Sequence, residues 1–374
     1  MNARLFFCGD IVNTKCQKSF ISDEIQTIIK SQDYSICNFE APIEGYGEKA
    51  QKAGPHVAQK AETLKLLKDA GFSLLLLANN HIYDYGEVAL SATIDEISKH
   101  DLNCIGAGLD YKGAYKAFIK EINGIKIAFI NASEAQFGVL DNTDNKHKSG
   151  YAWINHHLFD ELVISSKKVS DVVIVCVHAG LEDYYAPIEE WKSRYKRLCD
   201  IGADCIIGSH PHVPQGYELY NNKPIFYSLG NFYFDNLSFK DSPDYSYSVI
   251  LDISIDSIKF ELVYHNKDNN IVQLSKLENI PFNINDLNDL LDDKIELNKM
   301  YLDSYHKITR PFFASVYNSI IPSDSFIVVL KKIILKILPL SSLKKRRELL
   351  LLHLIRNETY RWVTIRAIQM INNK

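Results

Sequence analysis

The chain has 374 residues, of which 46% are apolar and 24% are charged, so it is long enough to bury a substantial core. No run reaches the roughly 18 apolar residues of a membrane-spanning helix, and the N-terminus lacks the pattern of a secretory signal. The seven cysteines include no C-x-x-C pair, and their odd number argues against a disulfide framework and favours a reducing compartment. Composition therefore predicts a globular, cytoplasmic protein.

The charge is unevenly distributed along the chain. The net charge is −4, but residues 331–374 carry eleven Lys or Arg and two Glu, a net of +9, which leaves −13 on residues 1–330. A basic tail on an acidic body predicts an anionic partner surface, such as the inner face of a cell membrane. The alternative is a solvated helix that packs on its own domain. Nucleic acid is not expected as a partner, because the charge comes without a recognised binding motif.

Short apolar runs that end in polar residues alternate with helix-like segments through the first 283 residues. The predicted strands are 4–8, 34–37, 72–78, 104–105, 171–177, 204–207 and 224–227, and the predicted helices are 60–70, 86–99 and 188–201. Residues 116–130, which turn at Asn123-Gly124, and residues 247–264 have the alternation of β-hairpins. Strands followed by helices indicate an α/β fold with largely parallel strands.

The pattern changes after residue 283. Residues 284–309 are polar with helical spacing, residues 326–338 are apolar with interspersed lysines, and residues 343–371 have the pattern of one long basic helix. We therefore predict a first domain over 1–283 and a helical C-terminal region over 284–374 that carries a basic amphipathic tail.

Potential metal ligands follow several of the predicted strands. These residues are Asp10, Glu40, Asn80, His81, His178, His210 and His212. Because ligands of open α/β sheets bind beyond the carboxyl ends of the strands, we expect these side chains to meet. Carboxylates, an amide oxygen and imidazoles together suit divalent first-row ions, and two such ions can share a carboxylate and activate a water. The pattern therefore predicts a metal site.

Single residues of this set also have ordinary structural explanations. Asp10 could be a turn residue at a strand end, and a lone His178 could be a satisfied polar side chain. The neighbouring Asp84 could be a helix N-cap or could fix the tautomer of His81. The pair in His210-Pro-His212 is harder to explain structurally, because two imidazoles after a buried strand need partners.

Seven sequence blocks, in the same order, make the chain resemble the CapA family, which is named for capsule and poly-γ-glutamate synthesis and is related to the calcineurin-like metallophosphoesterases. The blocks are Cys8-Gly-Asp10-Ile-Val, Asn38-Phe-Glu40-Ala-Pro42, Ala78-Asn-Asn-His-Ile-Tyr-Asp84-Tyr-Gly86, Gly106-Ala-Gly108, His178-Ala-Gly-Leu-Glu182, Gly202-Ala-Asp204 through Gly208-Ser-His-Pro-His-Val213, and Tyr227-Ser-Leu-Gly-Asn-Phe232. The resemblance implies an α/β four-layer sandwich, in which two mixed β-sheets are flanked by helices, with a C-terminal helical extension.

The resemblance also implies roles for individual residues. The implied ligands of one or two divalent ions, with Mn, Zn or Fe as candidates, are Asp10, Glu40, Asn80, His178, His210 and His212. Glu40 would bridge two ions, and His81 would be the general acid that protonates the leaving group. Val12 stands where phosphoesterases carry a further histidine ligand, so one ion or two remain open. Lys15, Glu182 and Asn231 are weaker candidates for substrate contacts, and Asn231 could instead be a cap.

The function implied by this resemblance is a metal-dependent hydrolase in capsule or surface-polymer biosynthesis. Its partner would be a cell-envelope polymer, such as poly-γ-glutamate or a polysaccharide, or a precursor of that polymer. Two alternatives stay open: a transferase that uses the same metal site, and a non-catalytic, membrane-associated component of a capsule assembly machine.

Overall fold

The structure is a computed structural model that describes residues 2–141, 148–235, 244–316 and 341–372, the last range with side chains from 345 onward. The chain forms two compact units. The larger comprises Met1–Ala50 and His56–Asp292, and the smaller comprises Gln51–Pro55 and Asp293–Lys374.

Among the described residues, the first sheet of the larger unit has eight strands. These are β1 (Ala3–Val12), β2 (Tyr34–Phe39), β3 (Leu74–Leu76), β4 (Asn103–Ile105), β14 (Asn231–Phe234), β15 (Tyr245–Ile253), β16 (Ile258–Asp268) and β17 (Ile271–Leu274). Their order is β17-β16-β15-β1-β2-β3-β4, and β14 pairs with the far end of β1. The sheet is mixed, because β1 to β4 are parallel whereas β15 to β17 pair in antiparallel fashion.

The second sheet, over the same part of the chain, has six strands and is also mixed. These are β6 (Phe118–Ile122), β7 (Ile125–Ser133), β10 (Val172–His178), β11 (Cys205–Ser209), β12 (Tyr217–Tyr220) and β13 (Lys223–Phe226), in the order β12-β13-β11-β10-β7-β6. The hairpin of β6 and β7 turns at Asn123 and Gly124, which both have positive φ as predicted for this turn. A small sheet joins β5 (Ala107–Gly108), β8 (Val139–Leu140) and β9 (Gly150–Ala152).

The two large sheets pack face to face because their central strands are apolar on both sides. In β1, Leu5 and Phe7 lie in the core between the sheets, where Phe7 packs on Phe129 of β7 with ring centroids 6.4 Å apart. Phe6 and Cys8, which alternate with them, lie in the core on the outer side of the first sheet. Burial on both faces explains why these strands are unbroken apolar runs in the sequence.

Helices cover the outer face of each sheet. These are α1 (Asp23–Lys30), α2 (Glu62–Ala70) and α3 (Gly86–Lys99) on the first sheet, the short α4 (Tyr111–Ala114), and α5 (His157–Lys167) and α6 (Glu189–Ile201) on the second. The layers therefore run helix, sheet, sheet, helix, which confirms the predicted four-layer sandwich.

Helix α7 (Ile284–Asp289) belongs to the larger unit, although we predicted the domain boundary at residue 283. Ile284 and Leu287 are buried in the core between the sheets, and Asn288 Oδ1 accepts a hydrogen bond from the Tyr217 backbone at 2.7 Å. The compact unit extends to Asp292 because the apolar face of α7 is buried there.

The described part of the smaller unit is helical. Its elements are α8 (Lys294–Ser304), a π-helical turn over Tyr305–Thr309, α9 (Arg310–Val316), α10 (Ser341–Arg356) and α11 (Glu358–Asn372). The prediction of a single helix over 343–371 is wrong, because Asn357 interrupts it and its Oδ1 caps α11 by accepting from the Tyr360 backbone at 2.8 Å. The predicted apolar segment 326–338, and residues 331–340 of the basic tail, lie outside the described residues. Within the described ranges, no helix is long and apolar enough to cross a membrane.

We expect Leu287→Ala to lower the free energy of unfolding by about 2–5 kcal/mol, since it opens a cavity between the sheets. Leu219→Ala in β12 is the matched control, because Leu219 belongs to the same unit and is 59% exposed, and it should cost less than about 0.5 kcal/mol. Urea unfolding followed by tryptophan fluorescence measures both values. Equally small effects would contradict the placement of α7 in the core.

Candidate metal centre

The predicted ligands come together where strands of both large sheets reach their carboxyl ends. Glu40 directly follows β2, Asn80 comes shortly after β3, His178 ends β10, and His210 directly follows β11. These side chains are buried, Asn80 being the most exposed of the four at 8%. Residues far apart in the sequence therefore meet in one buried cluster.

Asp10 lies inside β1 rather than past its end, where we had predicted it. The strand continues to Val12 because it pairs with β14 beyond Asp10, and the register shifts between Asp10 and Ile11. The two chain segments approach closely, since a Cβ on Gly9 would lie 1.7 Å from the carbonyl oxygen of Gly230. A glycine at position 9 is therefore required to bring Asp10 alongside β14.

The ligand atoms form two groups that share Glu40. Glu40, His178 and His210 each offer an atom within 4.8 Å of the others, and so do Asp10, Glu40 and His212. A carboxylate common to both groups is what a pair of divalent ions about 3.5–4 Å apart requires. The arrangement would therefore allow two divalent ions to share Glu40 as a ligand.

His178 lies at the centre of the first group. Its Nε2 is 3.0 Å from Asn80 Oδ1, 3.0 Å from His210 Nδ1 and 3.5 Å from Glu40 Oε1. Its Nδ1 is 3.1 Å from the Ser209 hydroxyl. In the tautomer that donates Nδ1–H to Ser209, Nε2 joins the other atoms in presenting lone pairs to one point. Such a concentration of acceptors favours a cation.

The loop that carries His210 and His212 has a strained backbone. His210 has φ 99° and His212 has φ 62°, both in the left-handed region, and each costs on the order of 1–3 kcal/mol. The backbone N–H of His210 donates to Asp10 Oδ2 at 3.2 Å, and that of Asp183 donates to the Pro211 carbonyl at 2.9 Å. These bonds hold the conformation that turns both imidazoles into the cluster.

The surroundings of the Glu40 carboxylate indicate whether this set of residues suits a metal. Both of its carboxylate oxygens are buried, and among the described residues neither has a hydrogen-bond partner. Burial, with the charges of Asp10 and Glu182, raises the pKa of Glu40 well above its ordinary value. A buried carboxylate without partners is strongly unfavourable. A divalent cation would supply the missing partner, so the donor set fits a metal.

The neighbouring groups have shifted pKa values for identifiable reasons. Burial, together with nearby His210 and His212, holds the pKa of His178 well below its ordinary value, which favours the neutral ring that binds metals. Burial raises the pKa of Asp10, although His212 opposes the shift. Burial alone would lower the pKa of His210, but a hydrogen bond to Glu134 and nearby carboxylates raise it overall.

His81 is close enough to affect the pKa of His178 and is paired with Asp84. His81 Nδ1 lies 2.7 Å from Asp84 Oδ2, which also accepts from the Val57 backbone N–H at 2.7 Å. Asp84 is not the cap of α3, because Tyr85 occupies the N-cap position. Asp84 instead orients His81, as the carboxylate of a catalytic dyad does.

The three weaker candidates have different surroundings. Asn231 Oδ1 lies 3.0 Å from His212 Nδ1, and Glu182 Oε1 lies 3.7 Å from His210 Nε2. Both therefore adjoin the cluster. Lys15 differs, because its side chain is exposed and its backbone N–H donates to Asp235 Oδ2 at 3.0 Å.

Two buried residues of the cluster are absent from our predictions. Asn38 donates to Asp10 Oδ1 at 2.6 Å and lies 3.1 Å from His178 Nδ1. Glu134 Oε1 lies 3.5 Å from His210 Nε2. Asn38 stands in the block that contains Glu40, and Glu134 directly follows β7. The rule of polar residues after strands would have found Glu134 had the end of β7 been predicted correctly.

The part of the chain that carries this site is similar to capsule synthesis proteins. A family model described as bacterial capsule synthesis protein PGA_cap matches residues 4–236. The PGA biosynthesis protein CapA of Bacillus subtilis (strain 168) is 35% identical over 217 residues, or 56% of this chain and 56% of that protein. The capsule biosynthesis protein CapA of Bacillus anthracis is 34% identical over 233 residues, or 60% of this chain and 56% of that protein. The chain thus spans little more than half the length of these relatives.

Solved structures show more distant likenesses. A hypothetical protein from Thermus thermophilus is 16% identical, with a TM-score of 0.47, and the match covers 71% of this chain and 100% of that chain. The calcineurin-like phosphoesterase YfkN from Bacillus subtilis is 14% identical, with a TM-score of 0.43, and the match covers 82% of this chain and 99% of that chain.

The Glu40 carboxyl should make the stability of the metal-free protein depend on pH. Its folded-state pKa is raised above the ordinary 4.5, so the folded state keeps a proton that the unfolded state has lost. The free energy of unfolding should therefore fall as pH rises from about 4.5 through the folded-state pKa. Glu40→Gln should weaken this dependence and, in chelator at neutral pH, should exceed the wild type in stability.

Urea unfolding in chelator between about pH 5 and pH 8 measures this difference. Glu44→Gln is the matched control, because Glu44 is exposed and pairs with Lys60. A wild type that gained stability over Glu40→Gln as pH rose would contradict the expectation.

Proposed function

Because this chain belongs to the PGA_cap family of bacterial capsule synthesis proteins, we propose that it is a metal-dependent hydrolase in the biosynthesis of a capsule or another surface polymer. The observation that carries the proposal is the pair of ligand groups that share Glu40, with a histidine–carboxylate dyad beside them. Groups that hold divalent ions, next to a group that can transfer a proton, are the parts that metal-assisted hydrolysis needs.

The proposed substrate is a cell-envelope polymer or its precursor, cleaved at an amide, ester or phosphoester bond. Two relatives are named a PGA biosynthesis protein and a capsule biosynthesis protein, and these names support a polymer substrate. The nitrogen and oxygen donors support Mn, Zn or Fe as the metal.

The residues divide into two sets by what they would do. Asn80, His178 and His210, with Glu40, would hold one ion, and Asp10, His212 and Glu40 would hold the second. When bound, divalent ions supply positive charge that polarises the scissile bond and lowers the pKa of water.

The second group would offer its ion fewer protein ligands than the first group. Val12 lies at the same end of β1 as Asp10, where it packs in an apolar cluster with Ala41, Val57 and Phe234. This position therefore offers no ligand atom. We propose that the group of Asn80, His178 and His210 holds its ion more tightly than the group of Asp10 and His212.

His81 would act as the general acid. Asp84 accepts its Nδ1–H and stabilises the protonated imidazole, so that Nε2 can donate a proton to the leaving oxygen or nitrogen. Asp84 itself is 1% exposed and is fixed by the Val57 backbone. The dyad therefore keeps its orientation without help from the substrate.

Turnover by the metal-loaded chain tests this proposal. The protein is loaded with Mn²⁺, Zn²⁺ or Fe²⁺ and assayed on phosphoesters, γ-glutamyl amides and poly-γ-glutamate. We expect hydrolysis of at least one substrate class, and we expect His81→Ala to lower kcat by about 10²–10⁴-fold with unchanged metal content, because the general acid is lost.

His157→Ala is the matched control, because this histidine is exposed at the start of α5, and it should leave kcat and metal content unchanged. Metal binding without turnover of any substrate class would overturn the hydrolase and favour a non-catalytic component of capsule assembly. Equal kcat for wild type and His81→Ala would overturn the role of His81.

A further inference from the structure

We propose that Glu134 is a positioning residue for His210: its carboxylate holds the proton on Nε2, so that Nδ1 presents its lone pair to the metal. This inference rests on the metal site of the proposed function and extends it to a residue outside the ligand set. Glu134 Oε1 lies 3.5 Å from His210 Nε2.

The two nitrogens of His210 face different partners. Nδ1 is 3.0 Å from His178 Nε2 and so points toward the group that contains Glu40. Nε2 points toward Glu134. A neutral imidazole carries one proton, and the partner of one nitrogen decides whether the other is free to bind a metal. A carboxylate at Nε2 selects the tautomer in which Nδ1 is the ligand.

Glu134 is held rigidly enough to select that tautomer. It is fully buried, and Gln136 Nε2 donates to its Oε1 at 2.8 Å. Its backbone N–H donates to the His178 carbonyl at 3.1 Å, and its carbonyl accepts from the Tyr151 hydroxyl at 3.2 Å. The backbone of Glu134 is thus bonded to β10, which carries the ligand His178, while its side chain faces the ligand His210.

His178 has a similar but weaker arrangement. Its Nδ1 faces the Ser209 hydroxyl at 3.1 Å, and that hydroxyl lies 3.3 Å from the Val177 carbonyl, to which it can donate. The Asn38 amide nitrogen lies at the same distance from His178 Nδ1, so the hydroxyl alone does not fix the tautomer. A carboxylate that accepts the ring N–H fixes the tautomer and also makes the ring a stronger donor to a metal. His210 is therefore the ligand whose affinity should depend most on its outer partner.

Glu182 is the competing candidate for this role. Its Oε1 lies 3.7 Å from the same nitrogen, but its side chain is 29% exposed. Water competes for an exposed carboxylate, and a longer contact is a weaker hydrogen bond. The buried Glu134 is accordingly the residue that fixes His210, and Glu182 provides a matched control.

Metal affinity tests the inference. Full-length His212→Ala, which removes one ligand of the second group and so weakens that group, is freed of metal and titrated calorimetrically with Mn²⁺, so that binding to the first group dominates. Adding Glu134→Gln should weaken Mn²⁺ binding by about 10- to 100-fold. Adding Glu182→Gln should weaken it by less than about threefold. Thermal unfolding of the metal-free proteins checks that each variant is folded.

A second measurement does not depend on metal titration. Nitrogen NMR of metal-free wild type with ¹⁵N-labelled histidine, assigned against His210→Asn and recorded above the raised pKa of His210, where the ring is neutral, should show the Nε2–H tautomer of His210. An Nδ1–H tautomer, or Glu134→Gln binding within about threefold of its parent, would overturn the inference alone. If the parent protein bound no Mn²⁺, the proposed metal site and this inference would both fall.

Discussion

The burial of the Glu40 carboxylate is the constraint on which the rest of the site depends. Neither of its oxygens has a hydrogen-bond partner among the described residues, so the charged form of Glu40 is strongly disfavoured in the metal-free protein. The two ligand groups converge on this carboxylate. A cation in either group would compensate the buried charge, so the feature that is unfavourable in the metal-free protein is the one that makes metal binding favourable.

Several locally unfavourable features help to place the candidate metal ligands. Gly9 allows β1 and the chain at Gly230 to approach within contact, and His210 and His212 adopt left-handed backbone conformations. Each costs stability locally, and the large core between the two sheets offsets that cost. The outer partners of the ligands, Ser209 and Glu134, then orient the rings. The two sheets thus position the ligand residues, and a smaller set of buried polar contacts orients their side chains.

The sequence predicted an α/β fold and the meeting of the ligands because strand ends and metal-binding residue types are local signals, whereas the four-layer sandwich was implied by the resemblance to the CapA family. It did not predict Glu134, because β7 continues past its apolar run through Asn131 and Ser133 as they pair with β10, and pairing is not a local property. The burial of α7 was missed for the same reason, because it depends on the core that the helix reaches. The break at Asn357 was also missed. The role of 331–374 at an anionic membrane stays a prediction, as does a cytoplasmic location at the inner face of the membrane.

Anomalous diffraction from crystals grown with Mn²⁺ is the most direct measurement of the central claim, that Glu40 is shared by two metal positions. We expect a strong peak among Glu40, Asn80, His178 and His210, and a weaker or equal peak among Asp10, Glu40 and His212. Manganese bound elsewhere on the chain, or a Glu40 carboxylate that turns away from every ion, would contradict it.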